Sequence, residues 1–268
     1  MINITLLKVI HEGEEEAKKL LPHIEKCDVF SREAMNLTEA GARSIERQWP
    51  EVLKMSRSKF NRVNSERYVG VPPEFVPYNL KRDDYIFRAG KPVIFLERWS
   101  PEEARVADDA EIRWNAERLA YLEFLAEGNI EGYIILASES LRRFTKSYII
   151  GRDKHIAANI DRVEQLVQQA YPHVDVANMK FTMELGVGHA PQEFTRRPIN
   201  VVELNKWSSA SEKAMYFLAR QENLADHPRE MLIHGLGELV HDGVLQVSDD
   251  LLMSASLEEL RMIVKNKL

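Results

Sequence analysis

Three side chains suited to moving protons or holding a metal each follow a short apolar run. His11 comes after Ile2–Ile10 (INITLLKVI), and Glu33 comes after Asp28–Arg32 (DVFSR). The third lies in Met183–Pro191, MELGVGHAP, where the apolar run ends in Gly186-Val187-Gly188, His189 follows at once, and Pro191 stops any continuing strand. Two neutral imidazoles and a carboxylate can hold a divalent metal and keep one position open for water. The metal lowers the pKa of that water and supplies hydroxide near neutral pH. Without a metal, a His–Glu pair serves as a general base with an orienting carboxylate. Arg152 and Asp153 open a helical stretch leading toward the His189 segment. An arginine there can clamp an oxyanion, and an aspartate can cap the helix or orient a histidine.

The elements around these residues predict where they meet. Ile2–Ile10 is rich in β-branched residues and reads as a strand. Glu14–Lys26 places Ala17, Leu20, Leu21 and Ile24 on one helix face, and DVFSR reads as a second strand. Strand, helix, strand with short connections is a βαβ unit, which sets its strands parallel. His11 and Glu33 then share the sheet edge where open α/β sheets keep their ligand crevice. Thr38 caps a helix to about Gln48, Pro50–Phe60 forms another, and Asn61–Arg82, with Gly70, Pro72, Pro73 and Pro77, reads as a long irregular segment suited to a lid. Pro92–Glu97 is a third strand. Ser100 with Glu103 is a capping box for a helix closing at Gly128. Ile130–Tyr148 fits helical spacing and is broken by Gly151. Asp153 opens a helix to about Ala170, and strands follow in Val174–Val187 and Ile199–Glu203. Ser211–Glu222, Pro228–His241 and Ser256–Lys267 are helical.

The expected fold is α/β: a central, mostly parallel sheet flanked by helices, with a helical C-terminal extension. Residues 1–205 form the α/β domain with the cleft, and 206–268 form the extension, packed on the same domain. A chain of 268 residues is long enough for one large domain or one domain plus a lobe. Its formal net charge of -6 argues against nucleic acid as the main ligand, because phosphate binding needs a concentrated positive field. The single cysteine, Cys27, excludes an intrachain disulfide and reads as a small core residue. No run approaches the roughly 20 apolar residues of a membrane helix, so no membrane partner is expected. Met1 leads into Ile2–Ile10 without a signal peptide's basic head, which makes the cytoplasm the expected location.

The order of these pieces resembles the erythromycin esterase / Tiki / TraB superfamily, which includes ChaN-like haem-binding proteins. The matching segments are VIHEG around His11, DVFSRE ending at Glu33, GRDKHIAANI at Gly151–Ile160 and GVGH at Gly186–His189. They span roughly residues 1–195 and leave the tail from Ser208 onward uncovered. The resemblance implies an α/β fold with the motifs at one sheet edge. It also implies hydrolysis of an ester, amide or related bond in a small-molecule or peptide substrate. By the resemblance His11, Glu33 and His189 carry the catalytic and metal-binding roles, with Arg152 and Asp153 in support. Lys8 stands where the family places a glycine before its first histidine. That departure and the uncovered tail favour the alternative: a non-catalytic protein on the same scaffold binding haem, an anion or a partner protein.

Other groupings invite chemistry. His234, Glu238 and His241 fall on one helix face, where two could share a metal. Gly235 and Gly237 weaken that helix, and a surface face is the preferred reading. Lys54, Arg57, Lys59, Arg62 and Arg67, with Phe60 and Tyr68 interleaved, form a basic stretch, and Arg142, Arg143 and Lys146 a second. Such stretches can track single-stranded nucleic acid. A solvated face is preferred here; if the patch is functional, an anionic substrate at a lid over the cleft is as plausible as nucleic acid.

Overall fold

The computed structural model describes residues 2–11, 13–33, 37–69, 71, 73, 75–205 and 209–267. In chain order the elements are β1 (Asn3–Val9), α1 (Gly13–Lys18), α2 (Leu21–Lys26), β2 (Val29–Ser31), α3 (Glu39–Leu53), α4 (Arg57–Glu66), α5 (Val76–Arg88), β3 (Val93–Ile94), α6 (Pro101–Ala126), α7 (Ile130–Phe144), α8 (Gly151–Asp161), α9 (Val163–Ala170), β4 (Lys180–Gly186), β5 (Ile199–Glu203), α10 (Ala210–Leu218), α11 (Pro228–His241), α12 (Asp249–Ser254) and α13 (Leu257–Lys267). The chain divides into two compact units. Met1–Pro101 joins Asp153–Lys206 in the first, and Glu102–Arg152 joins Trp207–Leu268 in the second. No helix among the described residues is long and apolar enough to cross a membrane.

The first unit is α/β. Its five strands run parallel in the order β3-β2-β4-β1-β5. Strand periodicity splits the core in two. Ile4 and Leu6 of β1, with Phe181, Met183 and Leu185 of β4, face a cluster built by Ile156, Ile160, Val163 and Val167 of α8 and α9. Leu7 and Val9 face the opposite way, into a cluster with Ile24, Trp49, Tyr78 and Ile86 from α2, α3 and α5. Both faces of the sheet are covered, as in parallel sheets generally, and β4 alternates Phe181, Met183 and Leu185 with Thr182 and Glu184. Cys27 is buried, as expected of a core thiol; it donates to the Ile24 carbonyl, and burial pushes its pKa up to about 11.

Several boundaries differ from the expected ones for local reasons. Pro22 splits Glu14–Lys26 into α1 and α2 because it occupies a first-turn position of the second. Pro50 lies inside α3 rather than opening a new helix. Asn61–Arg82 is largely helical: Pro77 sits in the first turn of α5, where its missing N–H costs little. Gly151 takes helical angles and opens α8 instead of breaking a helix.

The second unit is helical, with a core drawn from α6, α7, α10, α11 and α13. Gly237 and Gly235 do not weaken α11 so much as permit its packing. A Cβ at Gly237 would lie 2.8 Å from the backbone nitrogen of Ser211, and one at Gly235 would lie 2.6 Å from the Tyr133 hydroxyl. Consequently His234 is fully buried, and Ser211 Oγ contacts its Nδ1 at 2.8 Å. Ser211 also donates to Glu238, which Arg118 ties to Asp242. His241 is exposed. His234 and Ser211 therefore form a buried link between α10 and α11, with Glu238 half-buried beside them and His241 on the surface.

Candidate active site

Four of the five expected site residues lie in the first unit, at the C-terminal edge of its sheet. β1 ends at Val9 just before His11, β2 ends at Ser31 just before Glu33, and β4 ends at Gly186 just before the turn that carries His189. The His189 N–H donates to the Gly186 carbonyl at 3.0 Å, closing a tight turn at the strand tip. Val187 N–H donates to the Val9 carbonyl, so the sheet ladder runs up to the site.

Asp153 grips this turn with both oxygens. One lies 2.7 Å from His189 Nδ1, and the other accepts the Ala190 N–H at 3.0 Å. Both side chains are buried. The local alternative, a helix cap for Asp153, is not what forms: the residue sits within the first turn of α8, and its carboxylate is spent on a segment 36 residues away. An acidic partner on Nδ1 fixes the ring's orientation and turns Nε2 toward the opposite side.

On that side stands Glu33. Its Oε2 accepts the Gly186 N–H at 2.6 Å. His189 Nε2 lies 3.6 Å from Oε1, and His11 Nε2 lies 3.5 Å from Oε2. Two imidazole nitrogens thus approach the two oxygens of one carboxylate. Gly186 leaves room for this: a Cβ there would touch Glu33 Oε2 at 3.6 Å and the His189 ring at 3.7 Å. Arg152 belongs to the second unit, where it is buried with its guanidinium 6.0 Å from the Tyr148 ring centroid.

The donor types suit a divalent ion. His11 Nε2 is buried and lacks a hydrogen-bond partner, and an outer carboxylate such as Asp153 is the usual partner of a metal-binding histidine. Even so, no group of three or more His, Cys, Asp or Glu side chains among the described residues is drawn into a ready cage.

Behind His11 lies a buried polar network that the sequence reading missed. The Tyr78 ring lies 5.0 Å from that of His11, and its hydroxyl donates to Glu184 at 3.0 Å. Glu184 is fully buried in the middle of β4 and pairs with Arg82 Nη1 at 2.5 Å. Arg82 pairs in turn with Asp83, which also binds Arg32, the residue before Glu33. Burial and the Glu184 charge push the Tyr78 hydroxyl well above its ordinary pKa. Burial alone would raise Asp83, but Arg32 and Arg82 outweigh it and hold the carboxyl below its usual value. The signal in the sequence was Glu184 itself, a carboxylate between Met183 and Leu185 in a strand, since a buried charge requires a partner.

No protein-family model matches the chain, and no curated protein or solved structure matches it.

Proposed function

We propose that the first unit is a hydrolase of an ester, amide or related carbonyl bond, with His189 as the general base. The observation that carries this reading is the Asp153–His189 pair, with Nδ1 held at 2.7 Å and Nε2 turned toward Glu33. Asp153 stabilises the tautomer that places the ring proton on Nδ1. Nε2 then takes a proton from water as that water attacks the carbonyl, and returns it to the leaving oxygen or nitrogen. Glu33, anchored by the Gly186 N–H, orients the water and steadies the imidazolium. Asp153 and Glu33 both offset the positive charge that His189 gains. A divalent ion held by His11, Glu33 and His189 would supply a more acidic water at the same place. The order of motifs, which resembles that of the erythromycin esterase / Tiki / TraB superfamily, supports the same class of substrate.

The test combines metal analysis with turnover. Protein purified without chelators, together with its His11→Ala and His189→Ala variants, is assayed for metal and for hydrolysis of an ester and amide panel. Hydrolysis that falls at least a hundredfold in folded His189→Ala supports the assignment. Metal lost from both variants would assign the water's activation to the ion, and turnover without metal would assign it to His189. Turnover unchanged in folded His189→Ala overturns the assignment.

A further inference from the structure

Arg32 precedes Glu33 and has more hydrogen-bonding capacity than the protein uses. Its side chain is 13% exposed and directs only Nη1 at partners: Asp83 Oδ2 at 2.6 Å and the Tyr68 hydroxyl at 2.9 Å. The Nε and Nη2 edge has no partner among the described residues. That edge is the side-on fork of a guanidinium, whose two parallel N–H groups match the oxygens of a carboxylate or phosphate. The fork is held in place on three sides. Asp83 and Tyr68 take Nη1, and the Phe95 ring lies 5.1 Å from the guanidinium carbon.

Tyr68 closes the C-terminal end of α4, and its hydroxyl donates to Asp83 while accepting from Arg32 and Arg82. Asp83 and Glu184 are the carboxylates of the network, and both are fully buried. Arg82 is shared between them. Arg67, next to Tyr68, adds a third guanidinium that forms no hydrogen bond or ion pair among the described residues. Burial and the neighbouring Arg32 charge both press Arg67 below its ordinary pKa. Asp83 already pairs with Arg32 and Arg82 and is also the carboxylate whose charge reaches Arg67, so an anion between Arg32 and Arg67 would relieve their mutual repulsion. The arrangement also accounts for the end of the basic stretch Lys54–Arg67, which the proposed hydrolysis does not use.

We propose that Arg32 and Arg67 form an anion subsite beside Glu33 that takes a carboxylate or phosphate carried by the substrate. This rests on the hydrolase reading for its consequence in turnover but not for binding itself. A substrate anchored there would bear its anionic group near the scissile carbonyl, so the preferred substrates are acidic esters or amides rather than neutral ones. Arg82 and Asp83 are positioning residues: they hold Arg32 and leave the fork open.

The test uses the full chain and two variants. Arg32→Lys keeps the charge opposite Asp83 but removes the planar fork. Arg67→Gln changes a side chain outside the hydrogen-bonded network. Calorimetric titration with succinate and with inorganic phosphate reads binding directly. Binding to the wild type that weakens about tenfold or more in each variant, and also weakens as salt rises, supports the subsite. Preference for succinate identifies a carboxylate subsite, and preference for phosphate a phosphate one. In turnover, an ester of 4-nitrophenol with a free succinate carboxylate should exceed the neutral butyrate ester in kcat/KM, with the advantage lost in Arg67→Gln mainly through KM. Binding of the probes with no turnover would leave the subsite standing and remove the hydrolase reading. Turnover of both esters at equal efficiency, with neither probe bound, would overturn the subsite and leave the hydrolase reading intact.

Discussion

Replacing Asp153 with asparagine isolates what the carboxylate does for His189. In the wild type one oxygen meets Nδ1 at 2.7 Å and the other accepts the Ala190 N–H at 3.0 Å, with both side chains buried. A hydrogen bond to a charged group contributes about 1.5–3 kcal/mol. Asparagine has nearly the same shape and can keep its carbonyl on the Ala190 N–H. Its NH2 group then faces Nδ1 and donates to it, which moves the ring proton to Nε2. Both charge-assisted bonds are exchanged for neutral ones, so the loss of stability should be about 2 kcal/mol. Turnover should fall far more, by roughly three to four orders of magnitude, as when a base-orienting aspartate is replaced in serine hydrolases. Ring nitrogen NMR shifts read the tautomer without any substrate: a lone pair on Nε2 in the wild type, and on Nδ1 in Asp153→Asn. A folded Asp153→Asn protein with the wild-type tautomer and wild-type turnover would refute the role assigned to Asp153.

Three further outcomes follow from particular contacts. Glu184→Ala leaves Arg82 buried without its main partner, and breaking such a pair should cost about 3–5 kcal/mol in denaturant unfolding; a change below 1 kcal/mol would show that the network carries little. Gly237→Ala should destabilise the second unit by about 1–3 kcal/mol, because its Cβ meets the Ser211 backbone at 2.8 Å, whereas Gly186→Ala, whose contacts begin at 3.6 Å, should change stability by less than about 1 kcal/mol. The pH dependence of the second unit centres on His234, held below its ordinary value of 6.5 chiefly by burial, with Glu238 pulling the other way. The unfolded state therefore binds the proton first, and stability present above pH 6.5 is lost as pH falls below it. Denaturant midpoints measured across that range should slope downward toward acid, and His234→Asn should remove that slope.

Much of the fold was legible because its signals are local. β5 coincides with the expected Ile199–Glu203, α11 with Pro228–His241, and α6 begins at Pro101, directly after Ser100. Parallel strands place their C-terminal ends on one edge, so three residues that follow strands could be brought together from sequence order alone. What stayed hidden depends on tertiary contacts. The prolines between Val71 and Pro77 resemble a loop signal, yet α5 absorbs Pro77 in its first turn and supplies Tyr78, Arg82 and Asp83 to the network behind the site. Capping preference favours Asp153 at a helix start, and only the fold shows that its carboxylate reaches the His189 turn. The spacing of His234 and Glu238 suggested an exposed face, because helical periodicity does not reveal which glycines admit a neighbouring helix.

The most direct test of the hydrolase assignment is the ratio of kcat/KM between the wild type and His189→Ala on the best ester of the panel, measured on protein shown to be folded. A ratio of at least about a hundred is expected if Nε2 of His189 removes the water's proton, and a ratio near one would contradict a catalytic role for the site.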